Sequence, residues 1–361
     1  MDLFQSSTLK TLFDPPTGDL ISGLESIQFK TLCPGEYNDL FIQLRRRSNL
    51  LTAAHIAHAC HFVSLANRIK REGEKLKGTP DKKRSHRLMA EVRREPGLKI
   101  GIIGIGRIGH LLATFLLKYG DVYPDELCLS SRQADLLTDM VQNGVGFCKF
   151  NNAYIVQRCD IVFLCVAPHH IRYIIDDIRD RIKPNVLIYS LVLGFPALKL
   201  TSLLKHTLFI KPSYQWSELI DKDESLWPIA DDIESVLKHD ILMKRISLEN
   251  EDQNDSLVRD DQLVPTIFYA LLNILKQNAL LNRIQSLKVL SALLFNNSNI
   301  DLIIEKFDTI EANTEYFPDF DLVHLTTKIT IIRDLLDHNT NLRRLFSETF
   351  ISHFTQFKSN Y

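Results

Sequence analysis

Residues 98–109 read LKIGIIGIGRIG: a short apolar run, then Gly104-x-Gly106-x-x-Gly109, then the amphipathic stretch RIGHLLATFLLKYG that continues to Gly120. Glycines at this spacing are a weak signal alone. Between a strand and a helix they mark a turn where backbone N–H groups and the helix dipole can cradle a diphosphate. Gly104 suits the tight turn, Gly106 a close approach of backbone to phosphate, and Gly109 close packing of the helix. The plainer reading, a turn kept glycine-rich only for packing, is less favoured in this setting.

Working outward, ELCLSS (126–131), DIVFLCVA (160–167), NVLIYSLV (185–192) and TLFI (207–210) read as further strands. Amphipathic stretches such as Arg107 to Tyr119 and His169 to Ile182 lie between them. Near-continuous apolar strands alternating with helices predict an α/β fold: a Rossmann-type doubly wound parallel sheet covered on both faces. All 14 glycines fall between Gly18 and Gly194, so the two halves differ in architecture. The segment from Asn49 to Lys77 carries apolar residues at helical spacing, and three long helical patterns follow residue 263. The expected layout is a helical amino-terminal extension with a charged linker (1–96), a nucleotide-binding domain (97–215), an acidic connector (216–262) and an all-helical carboxy-terminal domain (263–361).

The 361 residues are 45% hydrophobic and 24% charged, as in ordinary globular proteins, and the formal charge of −1 supplies no field for nucleic acid or acidic membrane. No nucleic-acid or membrane partner is therefore expected. Six cysteines without a C-x-x-C pair fit a reducing compartment. The start, MDLFQSSTLKTLFDPPTGDL, lacks the basic and apolar regions of a secretory leader, so a cytoplasmic location is expected. His55, His58, Cys60 and His61 crowd one helical stretch, but their spacing scatters them around the axis, favouring packing over a metal site. The run Lys82-Lys83-Arg84, with Arg87, Arg93 and Arg94, reads as solvated linker.

About 20 residues after the last glycine of the turn the chain reads Leu129-Ser130-Ser131-Arg132, with no acidic residue. A carboxylate here would bind the ribose 2′-hydroxyl of NAD, whereas hydroxyls and a guanidinium suit a 2′-phosphate, so NADP(H) is favoured. The strand from Asp160 ends in Val166-Ala167-Pro168-His169, at the sheet edge where open α/β folds bind ligands. His169 and His170 after this strand, and Lys211, Ser213 and Tyr214 after the last, are the candidate proton donors; His169, Lys211 and Tyr214 lead the group.

This strand tip, the helix Arg172-Tyr173-Ile174-Ile175-Asp176-Asp177-Ile178, and the next strand with Ser190 and Gly194 in register resemble the pyrroline-5-carboxylate reductase family across roughly residues 98–212. The resemblance implies an NADP-binding fold followed by a helical, dimer-forming domain. It also implies that Gly104, Gly106, Arg107, Ser130, Ser131, Arg132, Asn152, Val166, Ala167 and Pro168 surround the cofactor. Its substrate loop, Ser-Pro-Gly-Gly-Thr, cannot occur in a chain without glycine after Gly194, and Phe317-Pro318-Asp319-Phe320 would present a repelling carboxylate instead. These departures argue against proline biosynthesis. Two functions stay open: an NADP-dependent oxidoreductase moving a hydride to or from a small carbonyl or imine compound, and a non-catalytic NADP-binding module acting through protein interactions.

Overall fold

The computed structural model describes residues 36–77, 96–132, 137–216, 232–248, 257–259, 261–279, 281–296, 300–308 and 314–356. The basic run at 82–94 and much of the acidic connector lie outside the described residues. The first element is a 42-residue helix, α1 (Glu36–Lys77). Six strands follow: β1 (Ile100–Ile103), β2 (Leu127–Ser131), β3 (Gly146–Lys149), β4 (Ile161–Leu164), β5 (Leu187–Ser190) and β6 (Phe209–Ile210). Between them run α2 (Arg107–Tyr119), α3 (Thr138–Gln142), α4 (Asn152–Arg158), α5 (Ile171–Ile178) and α6 (Ala197–Leu204).

The strands form one sheet in the order β3-β2-β1-β4-β5-β6, every pair parallel. That is the doubly wound arrangement, with its switch point between β1 and β4. Every residue of β1, β4 and β5 is buried, which explains their unbroken apolar runs. The stretch expected as one helix from His169 is in three pieces, 3₁₀ turns at 168–170 and 179–181 flanking α5. Only Ile171, Ile174, Ile175 and Ile178, at helical spacing, seat it on the sheet.

Beyond the sheet, β7 (Tyr214–Trp216) pairs antiparallel with β8 (Leu257–Arg259). Helices α7 (Ile233–Lys238) and α8 (Asp240–Ile246) lie between those two strands in sequence. The carboxy-terminal helices are α9 (Leu263–Ala279), α10 (Arg283–Phe295), α11 (Ile300–Asp308), α12 (Leu322–Leu325), α13 (Ile331–His338) and α14 (Thr340–Gln356).

The middle of α1 is buried from Ala53 to Asn67 save for half-buried His55, so it is a central helix. It packs on α9, α2 and α7, and its alanines let those neighbours come close. One hydrophobic cluster runs from α1 through one face of the sheet into the carboxy-terminal helices, while a second, under α4, α5 and α6, covers the other face.

Polar groups latch α1 to the start of β1. The side chain of Asn67 accepts from the Leu98 N–H at 2.8 Å and donates to the Asp121 carbonyl at 2.9 Å. Arg71 pairs with the carboxylates of Asp121 and Glu126, and Glu126, only 2% exposed, accepts from the Gly97 N–H at 2.7 Å. Buried polar groups left without partners are costly, so this network sets where the chain enters the sheet. Asn67→Ala strands the Leu98 N–H, while the Asp121 carbonyl keeps the bond from Arg71 Nη2 at 3.0 Å, and is expected to cost roughly 2 kcal/mol. Chemical denaturation measures this; a change under about 0.5 kcal/mol would remove the latch from the account of the fold.

Candidate functional site

At the carboxyl ends of β1, β2 and β4 a cleft of about 850 Å³ opens over the glycine turn. It lies where two chain directions part from the sheet's centre, the usual ligand position in this architecture.

The three glycines of the turn meet different demands. Gly104 adopts φ +93°, and a Cβ there would stand 2.5 Å from Val166 Cγ1 and 2.9 Å from the Cys165 carbonyl oxygen. At Gly109 a Cβ would fall 2.1 Å from the Gly104 carbonyl oxygen. Those two are required by the protein's own packing. Gly106 is not: its φ of −87° suits any residue, and a Cβ would meet no atom within 4 Å. The side chain missing at 106 would project into open cleft. Gly106 is also the N-cap of α2, which has neither a side-chain cap nor an acidic residue in its first turn. Orphan N–H groups and a positive dipole end therefore face a cleft with no carboxylate among its described lining residues, the donor set a diphosphate needs. Arg107, the first helical residue, is exposed beside it.

At the end of β2 the hydroxyl of Ser130 is committed internally. It donates to Asn152 Oδ1 at 2.8 Å, and Asn152 Nδ2 donates to Asp177 Oδ2 at 3.0 Å. Ser130 and Asn152 are both buried at the cleft wall and hold one another in place. Arg132, by contrast, is exposed and lines the cleft. Ser131 lines it too, and its carbonyl accepts from the Phe150 N–H at 3.1 Å. Val166 and Ala167 form the opposite wall, and exposed Pro168 opens the 3₁₀ turn that follows.

Among the lining residues outside the sequence-based cofactor set are Phe150, Tyr173 and His170. Phe150 sits at φ +49° and is 56% exposed, and Tyr173 is 73% exposed. Large apolar rings left open at a cleft mouth are flat surfaces for an aromatic ligand. His170 presents Nε2 3.3 Å from Arg132 Nη2. No periodicity marks these positions, since each lies on a loop or on the outer side of a helix.

The leading proton-donor candidates stand elsewhere. His169 is exposed, its ring 4.0 Å from that of His170, but it is not part of the lining. Lys211 and Tyr214 gather against α1. Tyr214 packs edge-on to His55 at 4.7 Å, and His55 is pushed down to about 4 by burial and by Lys211 beside it. Burial also lowers the Lys211 pKa. His58 Nε2 lies 3.1 Å from the Ile246 carbonyl oxygen, and His61 packs on Phe346 and Phe350. Among the described residues no group of three or more His, Cys, Asp or Glu could hold a metal ion, and no helix is long and apolar enough to cross a membrane.

Residues 99–193 match the family model described as "NADP oxidoreductase coenzyme F420-dependent". The chain is 25% identical over 311 residues to a Mus musculus protein, "NADP-dependent oxidoreductase domain-containing protein 1", covering 86% of this chain and 80% of that one. It is 31% identical over 99 residues to a pyrroline-5-carboxylate reductase of Methanosarcina acetivorans, covering 27% of this chain and 36% of that enzyme's length. The chain thus spans little more than a third of that reductase. A pyrroline-5-carboxylate reductase structure from Coxiella burnetii aligns over 72% of this chain and 97% of its own, at 18% identity and a TM-score of 0.30. That likeness carries no weight here, and the fold rests on the strand order above. Residues 99–193 are thus similar to the domain of NADP-dependent oxidoreductases and to part of the pyrroline-5-carboxylate reductases.

Gly106→Ala should leave the unfolding free energy within about 0.5 kcal/mol of wild type, whereas Gly109→Ala should lower it by roughly 2 kcal/mol through the clash with Gly104. Equal losses in the two variants, read from denaturant unfolding without ligand, would mean that Gly106 also serves packing.

Proposed function

We propose that residues 97–215 bind NADP(H) and that the chain is an oxidoreductase of the pyrroline-5-carboxylate reductase type, moving a hydride to or from a small carbonyl or imine compound. The observation that carries this reading is Gly106, whose missing side chain serves no contact inside the protein but leaves a diphosphate room to reach the α2 amides. The cofactor, when bound, supplies or accepts the hydride at its nicotinamide ring. The chain's residues hold and orient it. The α2 amides take the diphosphate, and Arg132 takes the 2′-phosphate with a charge-assisted donor. Asn152, fixed by Ser130 and Asp177, stands at the ribose side. Val166 and Ala167 shape the wall toward the reacting end. The name of the mouse relative and the description of the family model both support this cofactor class.

A cytoplasmic protein, dimeric through its carboxy-terminal helices and acting on a substrate other than that of proline synthesis, completes the proposal. One observation favours the second reading, an NADP-binding module without catalysis. His169, Lys211 and Tyr214 all lie off the lining of the cleft, two of them packed against α1. Oxidation of NADPH across a panel of small carbonyl and imine compounds separates the two: turnover of any member supports the enzyme, and tight binding without turnover supports the module.

Arg132→Glu is expected to weaken NADPH binding roughly ten- to a hundred-fold, by loss of a charge-assisted hydrogen bond and gain of repulsion, with little effect on NADH. Calorimetric titration of both dinucleotides measures this. Equal affinity of the wild-type chain for NADH and NADPH would contradict the assignment of Arg132.

A further inference from the structure

We propose that His170 is the second jaw of a clamp on the 2′-phosphate of adenosine, opposite Arg132, and that it takes up a proton as the phosphate enters. The inference rests on the cofactor reading above and adds a specificity-determining residue from the turn after β4, on the far side of the switch point from β2.

A guanidinium carries only donors. With Arg132 Nη2 at 3.3 Å, His170 Nε2 meets the guanidinium as an acceptor when the ring is neutral with its proton on Nδ1, the form the lowered pKa favours. The ring stands where it does because the His170 N–H donates to the Ala167 carbonyl at 2.9 Å, closing the 3₁₀ turn that α5 continues. Ser130, one of two hydroxyls expected to receive the phosphate, already donates to Asn152. The cleft thus offers Arg132 and, beside it, an imidazole that becomes a donor on protonation. Two donors this close can reach neighbouring oxygens of one phosphate.

Among the described residues, the charged and titratable groups around His170 are few. Arg132 comes from the end of β2, His169 from the same turn and the Tyr173 phenol from α5, while Asp177 of α5 is engaged by Asn152. Lost hydration, then His169 and Arg132, holds the pKa of His170 below its ordinary value. A dianionic phosphate reverses the sign of the local field and raises it. A group whose pKa rises on binding takes up a proton, so affinity is greatest at the lower pH and declines as pH climbs through the raised pKa. A ligand without the 2′-phosphate brings no such charge and no such slope.

The probes are 2′,5′-ADP and 5′-AMP, titrated calorimetrically into the full chain between pH 7 and pH 9, where a phosphate with a second pKa of about 6 stays dianionic. The wild type should lose about tenfold in affinity for 2′,5′-ADP across that range and none for 5′-AMP. Its heat of binding at pH 7 to 8 should vary with the ionisation heat of the buffer. His170→Gln should bind 2′,5′-ADP with no pH slope, at the affinity wild type shows at pH 9. A flat wild-type profile, or a slope that persists in His170→Gln, overturns the role of His170 while leaving the cofactor reading intact. Binding of 5′-AMP with no gain from the 2′-phosphate at any pH overturns both.

Discussion

The first N–H groups of α2 have no acceptor within their own helix, no capping side chain and no acidic residue in the first turn. That polar demand, placed at the middle strand of the sheet, organises the region around it. Gly104 turns the backbone at positive φ under Val166, Gly109 lets α2 lie against that turn, and Gly106 keeps the approach clear. The walls then follow from topology. With β2 and β4 on either side of β1, the loops after those strands face each other across the helix terminus. Arg132 and His170 meet there although 38 residues separate them in sequence.

The turn is held from behind by α1. A helix with no counterpart in the strand pattern is buried along its centre, and through Asn67 and Arg71 it ties the chain just before β1 to the loop between α2 and β2. The same helix presents His55 to Tyr214 beyond the last parallel strand. One element thus touches both the entry to the sheet and the far side of its carboxyl edge. The structure of the parallel-sheet region is in this sense inseparable from what precedes it.

Much of this was legible in the residues. The strand, glycine turn and helix at 98–119 announced the doubly wound sheet because each glycine answers a local demand, and apolar runs such as IVFL could only be strands buried on both faces. Arg132 was legible because a missing carboxylate after β2 is itself chemical information. Other features depend on long-range packing that no local pattern encodes. The helical period of α1 was plain, yet nothing in it says that α9 and α2 would bury it. The Ser130 hydroxyl looked free until the fold brought Asn152, 22 residues on, within 2.8 Å. Phe150 and Tyr173 read as ordinary aromatics, and only the cleft gives them a task. Lys211 and Tyr214 follow a strand tip as a proton donor would, but the packing of α1 draws Tyr214 onto His55.

The central claim is that the amide groups opening α2 await a diphosphate. Amide hydrogen exchange of the full chain with and without saturating NADPH examines those groups individually. Slowed exchange at residues 106–109, with a smaller effect at 130–132, is the result this account requires. Unchanged exchange at 106–109 under conditions where NADPH is demonstrably bound would contradict it.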